Sequence, residues 1–499
     1  MQPFYLYNTL SGEKELFKPI SAEHVGMYVC GPTVYSDVHL GNCRTFTSFD
    51  ILFRLLKYIG YKVRYVRNIT DVGHLEGDSD IGAEDKIQKK ARLEQLEPME
   101  IVQRITNGFH HIMHVLNNED PSIEPTATGH LMEQIAMVQQ ILDNGYAYIQ
   151  NGSVYFDTIK FAKETGSYGQ ISGRKIEDLL VETRDDLKNQ SEKRHPSDFA
   201  IWIKADPSHI MKWESKWSTG FPGWHLECSA MSTKYLGAEF DIHGGGQDLK
   251  FPHHENEVAQ NLSANHKGGA RYWMHANMLL LNGKKMSKSE GNSVTPIELF
   301  NGENTIFPMA YSPMELRFYM LQSHYRSTLD LTSEGLTGST KGFKRLKEAY
   351  SQFKLFTPGL NESPTALSIR VNELVNQIES DLCDDLNTPK AIAGVFEIVT
   401  IVNQLVNKQI PEDEYNVMTH RLLDKVFFGI CQTVLGLILD EGEGNDQKYI
   451  DGLMNVILDI RSAARTNKDW TTSDLIRGRL TDLGIQVKDG SDGASWSFN

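Results

Sequence analysis

The chain has 499 residues, enough for two to four domains rather than one core. Its 40% hydrophobic and 23% charged residues are ordinary for a soluble globular protein. A net charge of −15 argues against a protein held on nucleic acid by bulk charge alone, while leaving room for a local basic surface.

Val25 to Cys30 reads as a short apolar strand running into Gly31-Pro32-Thr33. Arg44 to Tyr58 reads as a helix with Phe46, Phe49, Leu52, Phe53 and Leu56 on its apolar side, ended by Gly60. Lys62 to Ile69, rich in Val and Tyr, reads as a buried strand, so the unit predicts a right-handed crossover in a parallel sheet. Asp71 to Asp85 reads as a loop, and Met99–Leu116 and Leu131–Asn144 as helices. From about Asn151 to Thr219 the pattern is irregular, with short strands and a charged run, and reads as an insertion. A second α/β block follows, with a strand at Phe240–His243, a triple-glycine turn and a helix from Pro252. Beyond about 312 the chain is mostly helical to Leu439. Then come a polar linker, Glu441–Asp446, and a tail with a basic helix and a short strand region.

The five cysteines, Cys30, Cys43, Cys228, Cys383 and Cys431, are odd in number and thinly spread, which fits a reducing cytoplasm better than a disulfide framework. The opening Met1-Gln2-Pro3-Phe4-Tyr5 lacks the regions of a signal peptide, and no stretch approaches the roughly 20 apolar residues of a membrane span.

Cys30, Cys228, His253 and Glu257 make a chemically plausible zinc set, with His253 and Glu257 four apart on one helix face. The cysteines, however, are 198 positions apart, unlike any zinc finger. Two buried free cysteines and a helix-face pair account for the four residues more simply. His39-Leu40-Gly41-Asn42 stands before the first helix, where unpaired N–H groups hold phosphates; an ordinary strand-to-helix turn has the same form. Lys285-Met286-Ser287-Lys288-Ser289 offers two ammonium groups to a polyphosphate, or is a solvated basic loop. No Walker-type loop occurs. Gly244-Gly245-Gly246-Gln247-Asp248 could admit an adenosine and bind its ribose, or be a flexible turn. Between Arg461 and Arg479 five positive and two negative charges leave +3, with Trp470 and Trp496 as surfaces for base stacking or as core residues.

Taken together these segments resemble a known family. His39–Asn42 with Lys285–Ser289 is similar to the paired ATP signatures of class I aminoacyl-tRNA synthetases. Tyr28–Tyr35, Gly223–Met231, Asp241–Gly246, Phe251–Glu257 and the tail from Ser473–Arg477 to Trp496 resemble cysteinyl-tRNA synthetases over nearly the whole chain. The resemblance implies an α/β fold: a Rossmann-type parallel nucleotide-binding sheet split by an insertion, then a helical bundle and a small C-terminal domain. The implied divisions are a catalytic first half at 1–125, an insertion at 126–221, a second half at 222–275, a connecting region at 276–325, the bundle at 326–440 and an anticodon-binding domain at 448–499.

The same resemblance implies one zinc ion on Cys30, Cys228, His253 and Glu257, holding the substrate thiolate. A serine hydroxyl ionises far less readily and is the poorer ligand. An apolar pocket alone would separate such near-isosteres by only about 10- to 200-fold. It further implies ATP, with magnesium, on His39, Gly41, Asn42, Gly245, Asp248 and Lys288. The adenylation machinery would be His39, Asn42, Lys285 and Lys288, and the amino-acid pocket Gly31, Thr70, Trp224 and His243. tRNA(Cys) would contact Arg461, Arg465, Arg477 and Trp496. A cytoplasmic monomer with no membrane partner is expected. Two departures stand out. Asn42 occupies a place where the family usually has a second His, and an amide donates a hydrogen bond without positive charge. The loop over 72–85 is longer than the family leads one to expect. The alternatives are a cysteine ligase of thiol biosynthesis, which needs no anticodon-reading tail, and a non-catalytic synthetase-like RNA-binding protein, expected to have broken motifs.

Overall fold

An antiparallel pair opens the chain, β1 (Tyr5–Asn8) with β2 (Glu13–Leu16). The structure, a computed structural model, describes residues 2–73, 86–174, 192–286, 291–307, 309–440, 445–483, 485–490 and 493–498. Most of the long 72–85 loop and Lys288 therefore lie outside the described residues.

Next come β3 (His24–Val29), α1 (Leu40–Tyr58) and β4 (Lys62–Arg67), with the two strands parallel as the strand–helix–strand pattern requires. Helix α1 begins at Leu40, one turn earlier than apolar periodicity placed it, because its cap is polar. His39 Nδ1 accepts from the Asn42 N–H at 3.3 Å, and Asn42 Oδ1 accepts from the His39 N–H at 3.2 Å. Helices α2 (Lys86–Glu94), α3 (Pro98–Val115) and α4 (Leu131–Asp143) follow.

The expected insertion contains β5 (Ala147–Gln150), β6 (Ser153–Phe156), α5 (Thr158–Thr165), β7 (Phe199–Lys204), β8 (Trp213–Glu214) and β9 (Thr219–Pro222). Its strands form one antiparallel sheet in the order β5-β6-β7-β9-β8, with Phe156 stacked on Phe199 at 4.8 Å. The chain then returns through α6 (Trp224–Leu236), β10 (Glu239–Gly246), α7 (His253–Asn265) and β11 (Gly269–Ala276). β10 and β11 complete a four-stranded parallel sheet, β11-β10-β3-β4. Residues distant in sequence thus share the carboxyl edge of one sheet, where open α/β folds bind ligands.

After β12 (Leu279–Leu281), β13 (Lys284–Lys285), α8 (Pro296–Asn301), α9 (Pro313–Leu321) and β14 (Leu329–Leu331) come the bundle helices. These are α10 (Ser333–Phe353), α11 (Ala366–Cys383), α12 (Thr388–Val406), α13 (Val417–Asp424) and a π-helical run, Lys425–Val434. α12 is 19 residues long and apolar enough in composition for a membrane span, contrary to the sequence reading. Its Ala391, Val395, Ile398, Val399 and Val402 are buried against neighbouring helices, the pattern of a core helix.

The chain divides after Leu437 into two units. The smaller holds α14 (Asn445–Thr466), α15 (Trp470–Asp482) and an antiparallel hairpin, β15 (Ile485–Gly490) with β16 (Gly493–Phe498). The expected linker is shorter than read, since Asn445 and Asp446 already belong to α14 and 441–444 lie outside the described residues. The single basic helix is two helices, because Asp469 caps a new one by accepting from the Thr472 N–H at 3.1 Å.

Candidate functional site

The strand–loop junction after β3 sets the geometry of the pocket. Gly31 N–H donates to Asn68 Oδ1 at 2.8 Å, and a Cβ on Gly31 would stand 1.6 Å from the Asn68 carbonyl oxygen. Only glycine admits that approach. Gly31→Ala is expected to force the two strand ends apart and destabilise the protein by about 3 kcal/mol, read by chemical denaturation. A loss indistinguishable from zero would show that the junction yields freely.

That junction leaves Cys30 at the end of β3. Cys228 on α6 and His253 and Glu257 on α7 meet it, and one donor atom from each of the four lies within 4.8 Å of the others. Cys30 Sγ is 3.5 Å from Cys228 Sγ and 3.6 Å from Glu257 Oε1, and His253 Nε2 is 3.1 Å from Glu257 Oε1. All four are buried. Burial opposes ionisation of Cys228, but hydrogen bonds from Cys30 and His253 outweigh it and bring the thiol to about 6. Burial and the neighbouring Cys228 drive Cys30 well above the usual thiol range. His253 rises to about 10 against the effect of burial, through Cys228 and Glu257. Glu257 falls to about 2 against burial, through His243 and His253.

These residues fit a zinc ion on two grounds: the donor chemistry of two thiols, an imidazole and a carboxylate, and the buried Glu257 Oε2, which has no hydrogen-bond partner among the described residues.

His243, expected in the amino-acid pocket, lies against this cluster. Its Nε2 is 3.4 Å from Cys30 Sγ and 3.5 Å from Glu257 Oε1, and its ring stacks on Trp273 at 4.3 Å. Cys30, His243, His254 and Glu257 form a second, overlapping donor set. His254 was not among the residues singled out in the sequence. Its Nε2 is 3.4 Å from Cys30 Sγ, and its Nδ1 bonds His275 Nε2 at 2.8 Å, which leads on to Thr9 Oγ1. Burial holds both of these histidines neutral, well below the usual imidazole value. The adjacent His253-His254 pair was the one signal available, since two histidines in succession place one imidazole beside the face of the other.

Of the remaining pocket residues, Trp224 is half-buried with its ring 4.6 Å from that of His253. Thr70 Oγ1 donates to Glu227 Oε2 at 2.8 Å. Glu227, also missed, is a buried carboxylate held well above its usual range by burial and by Cys228.

The start of α1 and the residues just before the 287–290 segment approach each other. The Met286 methyl, just after β13, is 3.8 Å from where a Cβ on Gly41 would sit, beside the start of α1. His39 and Lys285 are exposed there. Gly245 is buried one residue before the end of β10, and Asp248 lies exposed in the turn after it. In the small unit Arg465 and Arg477 are exposed, Arg461 is buried and Trp496 packs half-buried on Met454, Leu458, Leu480, Ile485 and Val487. Trp470 is exposed.

Residues 16–341 match the model for the tRNA synthetases class I (C) catalytic domain, 377–439 the DALR domain and 450–496 the cysteinyl-tRNA ligase anticodon binding domain. A cysteine–tRNA ligase of Bacteroides thetaiotaomicron is 52% identical over 497 residues, covering 99% of each chain. One of Chlorobaculum tepidum is 44% identical over 507 residues, covering 100% of this chain and 99% of its own. Two solved structures share the fold. Mycobacterium tuberculosis methionyl-tRNA synthetase in complex with methionyl-adenylate has a TM-score of 0.54 at 13% identity, covering 83% of this chain and 89% of its own. The Agrobacterium radiobacter LeuRS–tRNA–LeuAMS ternary complex has a TM-score of 0.56 at 11% identity, covering 84% and 85%.

Proposed function

The chain belongs to the cysteinyl-tRNA synthetase family, and from that premise we propose how its own residues carry out the ATP-dependent ligation of cysteine to tRNA. The observation that carries the proposal is the buried Cys30–Cys228–His253–Glu257 cluster at the carboxyl edge of the parallel sheet.

Those four residues hold one zinc ion, which when bound supplies a thiolate-preferring site that favours cysteine over serine. Thr70, Trp224 and His243 shape the space beside it, and Gly31 keeps its floor narrow. His39 and Asn42 present the start of α1, with its partial positive charge, to the ATP phosphates. Their mutual cap also gives Asn42 a purpose that a second charged His would not serve as a hydrogen-bond acceptor for the His39 N–H. Lys285 and Lys288 neutralise charge that grows at the α-phosphate as the cysteine carboxylate attacks it. That carboxylate is already ionised at neutral pH, so no general base is required and the work is positioning and charge stabilisation. Magnesium accompanies the ATP, and Gly245 and Asp248 border its adenosine. Exposed Arg465 and Arg477 meet the phosphates of tRNA(Cys), with binding that weakens as salt rises. A single chain in the cytoplasm is the working form.

The test is charging of unfractionated tRNA with radiolabelled cysteine, ATP and magnesium. Acid-precipitable, ATP-dependent label is expected. Cysteine-dependent pyrophosphate exchange without label would move the chain to ligation of a different acceptor. Truncation after Leu437 is expected to leave exchange intact and to remove most charging; unchanged charging would take tRNA recognition away from the small unit.

A further inference from the structure

Glu255 stands between the ligand candidates His253 and Glu257 on α7 but faces the other way. At about 100° per residue it lies roughly 200° from each of them around the helix. There it is buried, and it takes five hydrogen bonds from one turn of the insertion. Its Oε1 accepts from the N–H groups of Gly169 and Gln170 at 2.8 and 3.1 Å. Its Oε2 accepts from the N–H groups of Ile171 and Ser172 at 3.1 and 2.9 Å and from Ser172 Oγ at 3.0 Å. Four successive backbone N–H groups aimed at one carboxylate form an anion nest. Gly169, at φ +99°, supplies the left-handed residue that begins it. Two further contacts tie the same turn to the same place. Tyr168 Oη donates to Asn256 Oδ1 at 2.7 Å, and the Arg174 guanidinium lies 4.1 Å from the Phe251 ring centre, just before α7.

We propose that Glu255 is a positioning residue for the metal and amino-acid site, through which the Tyr168–Arg174 turn of the insertion fixes the orientation of His253 and Glu257. The proposal rests on the zinc reading given above. A helix turn held on one face by a saturated carboxylate cannot rotate to relax the donors on its opposite face. Donor sets and reacting groups lose affinity steeply when displaced by about 1 Å. The insertion is therefore part of cysteine selection. Glutamine at 255 keeps the size but offers one accepting oxygen, and it turns an NH2 group toward N–H donors.

The experiment uses full-length wild type, Glu255→Gln and a Tyr168→Phe/Ser172→Ala double variant. Zinc per chain is measured by elemental analysis after dialysis against stepped EDTA. KM for cysteine and for ATP comes from pyrophosphate exchange, and thermal unfolding reports the fold. Glu255→Gln is expected to lose zinc at about 10- to 100-fold lower chelator and to raise KM for cysteine in proportion, with KM for ATP unchanged. The double variant shifts both quantities in the same direction by less. A folded Glu255→Gln protein with wild-type zinc retention and cysteine KM overturns the proposal, whatever its melting temperature. If Glu255→Gln fails to fold, an unaltered double variant overturns it. Wild type that holds no zinc sinks the underlying zinc reading as well, whereas zinc-loaded wild type beside unaltered variants sinks this inference alone.

Discussion

Cys228→Ala is expected to lower kcat/KM for cysteine by roughly 10⁴-fold while leaving KM for ATP where it was. The cause is chemical as well as geometric. Cys228 is the thiol poised to ionise, at about 6, and it is one of two groups that keep His253 charged. Alanine removes both effects and one of four donors, and the sulfur of the substrate then has no reason to be preferred over the oxygen of serine. Activation of serine relative to cysteine should rise accordingly. Stripping zinc from the wild-type protein by chelation should reproduce the pattern, and restoring zinc should reverse it in the wild type only. Pyrophosphate exchange with each amino acid measures all of this. Equal loss of cysteine and ATP binding, in a folded protein, would falsify a role in selection.

Asp50→Ala is expected to destabilise the larger unit by about 3–5 kcal/mol, the typical result of removing one partner from a buried ion pair. Asp50 Oδ2 accepts from Arg54 Nε at 2.8 Å and from Arg317 Nη2 at 2.5 Å, and Oδ1 accepts from the Glu119 N–H at 2.8 Å. Arg317 is buried and also donates to the carbonyls of Leu435 and Leu116, each at 2.8 Å, and to Asn118 Oδ1 at 2.7 Å. One carboxylate thus ties α1 to α9, to the end of α3 and to the exit of the π-helical run. Without it two guanidinium groups remain out of water with less charge to face. Asp50→Asn should cost less, because the amide oxygen still accepts. Denaturant midpoints compare the three proteins. A loss below about 1 kcal/mol would mean that the network behaves as a solvated surface pair. Since α1 also presents His39 and Asn42, exchange activity should fall along with stability.

The zinc candidates show how far sequence carries. Their identities were readable only through resemblance to a family, because a 198-residue separation has no signature of its own. Loop-closure entropy grows only with the logarithm of length, so a chain can join such distant groups with little dependence on their spacing. His254 and Glu227 were missed for the same reason, since each acquires its meaning from partners on other elements. Arg461 looked in sequence like its neighbours Arg465 and Arg477, yet it alone of the three is buried.

What the sequence by itself determined was local: the body of the helix α1, the parallel strand–helix–strand unit and the shared face of His253 and Glu257. Those features depend on hydrogen bonds and side-chain periods that span a few residues, and such patterns are written directly in the order of residues. Only the tertiary structure decided which donors meet, which charges are buried and which turn grips α7. These follow from packing between elements far apart in the chain, where desolvation and partner geometry, rather than residue type, fix what a side chain can do.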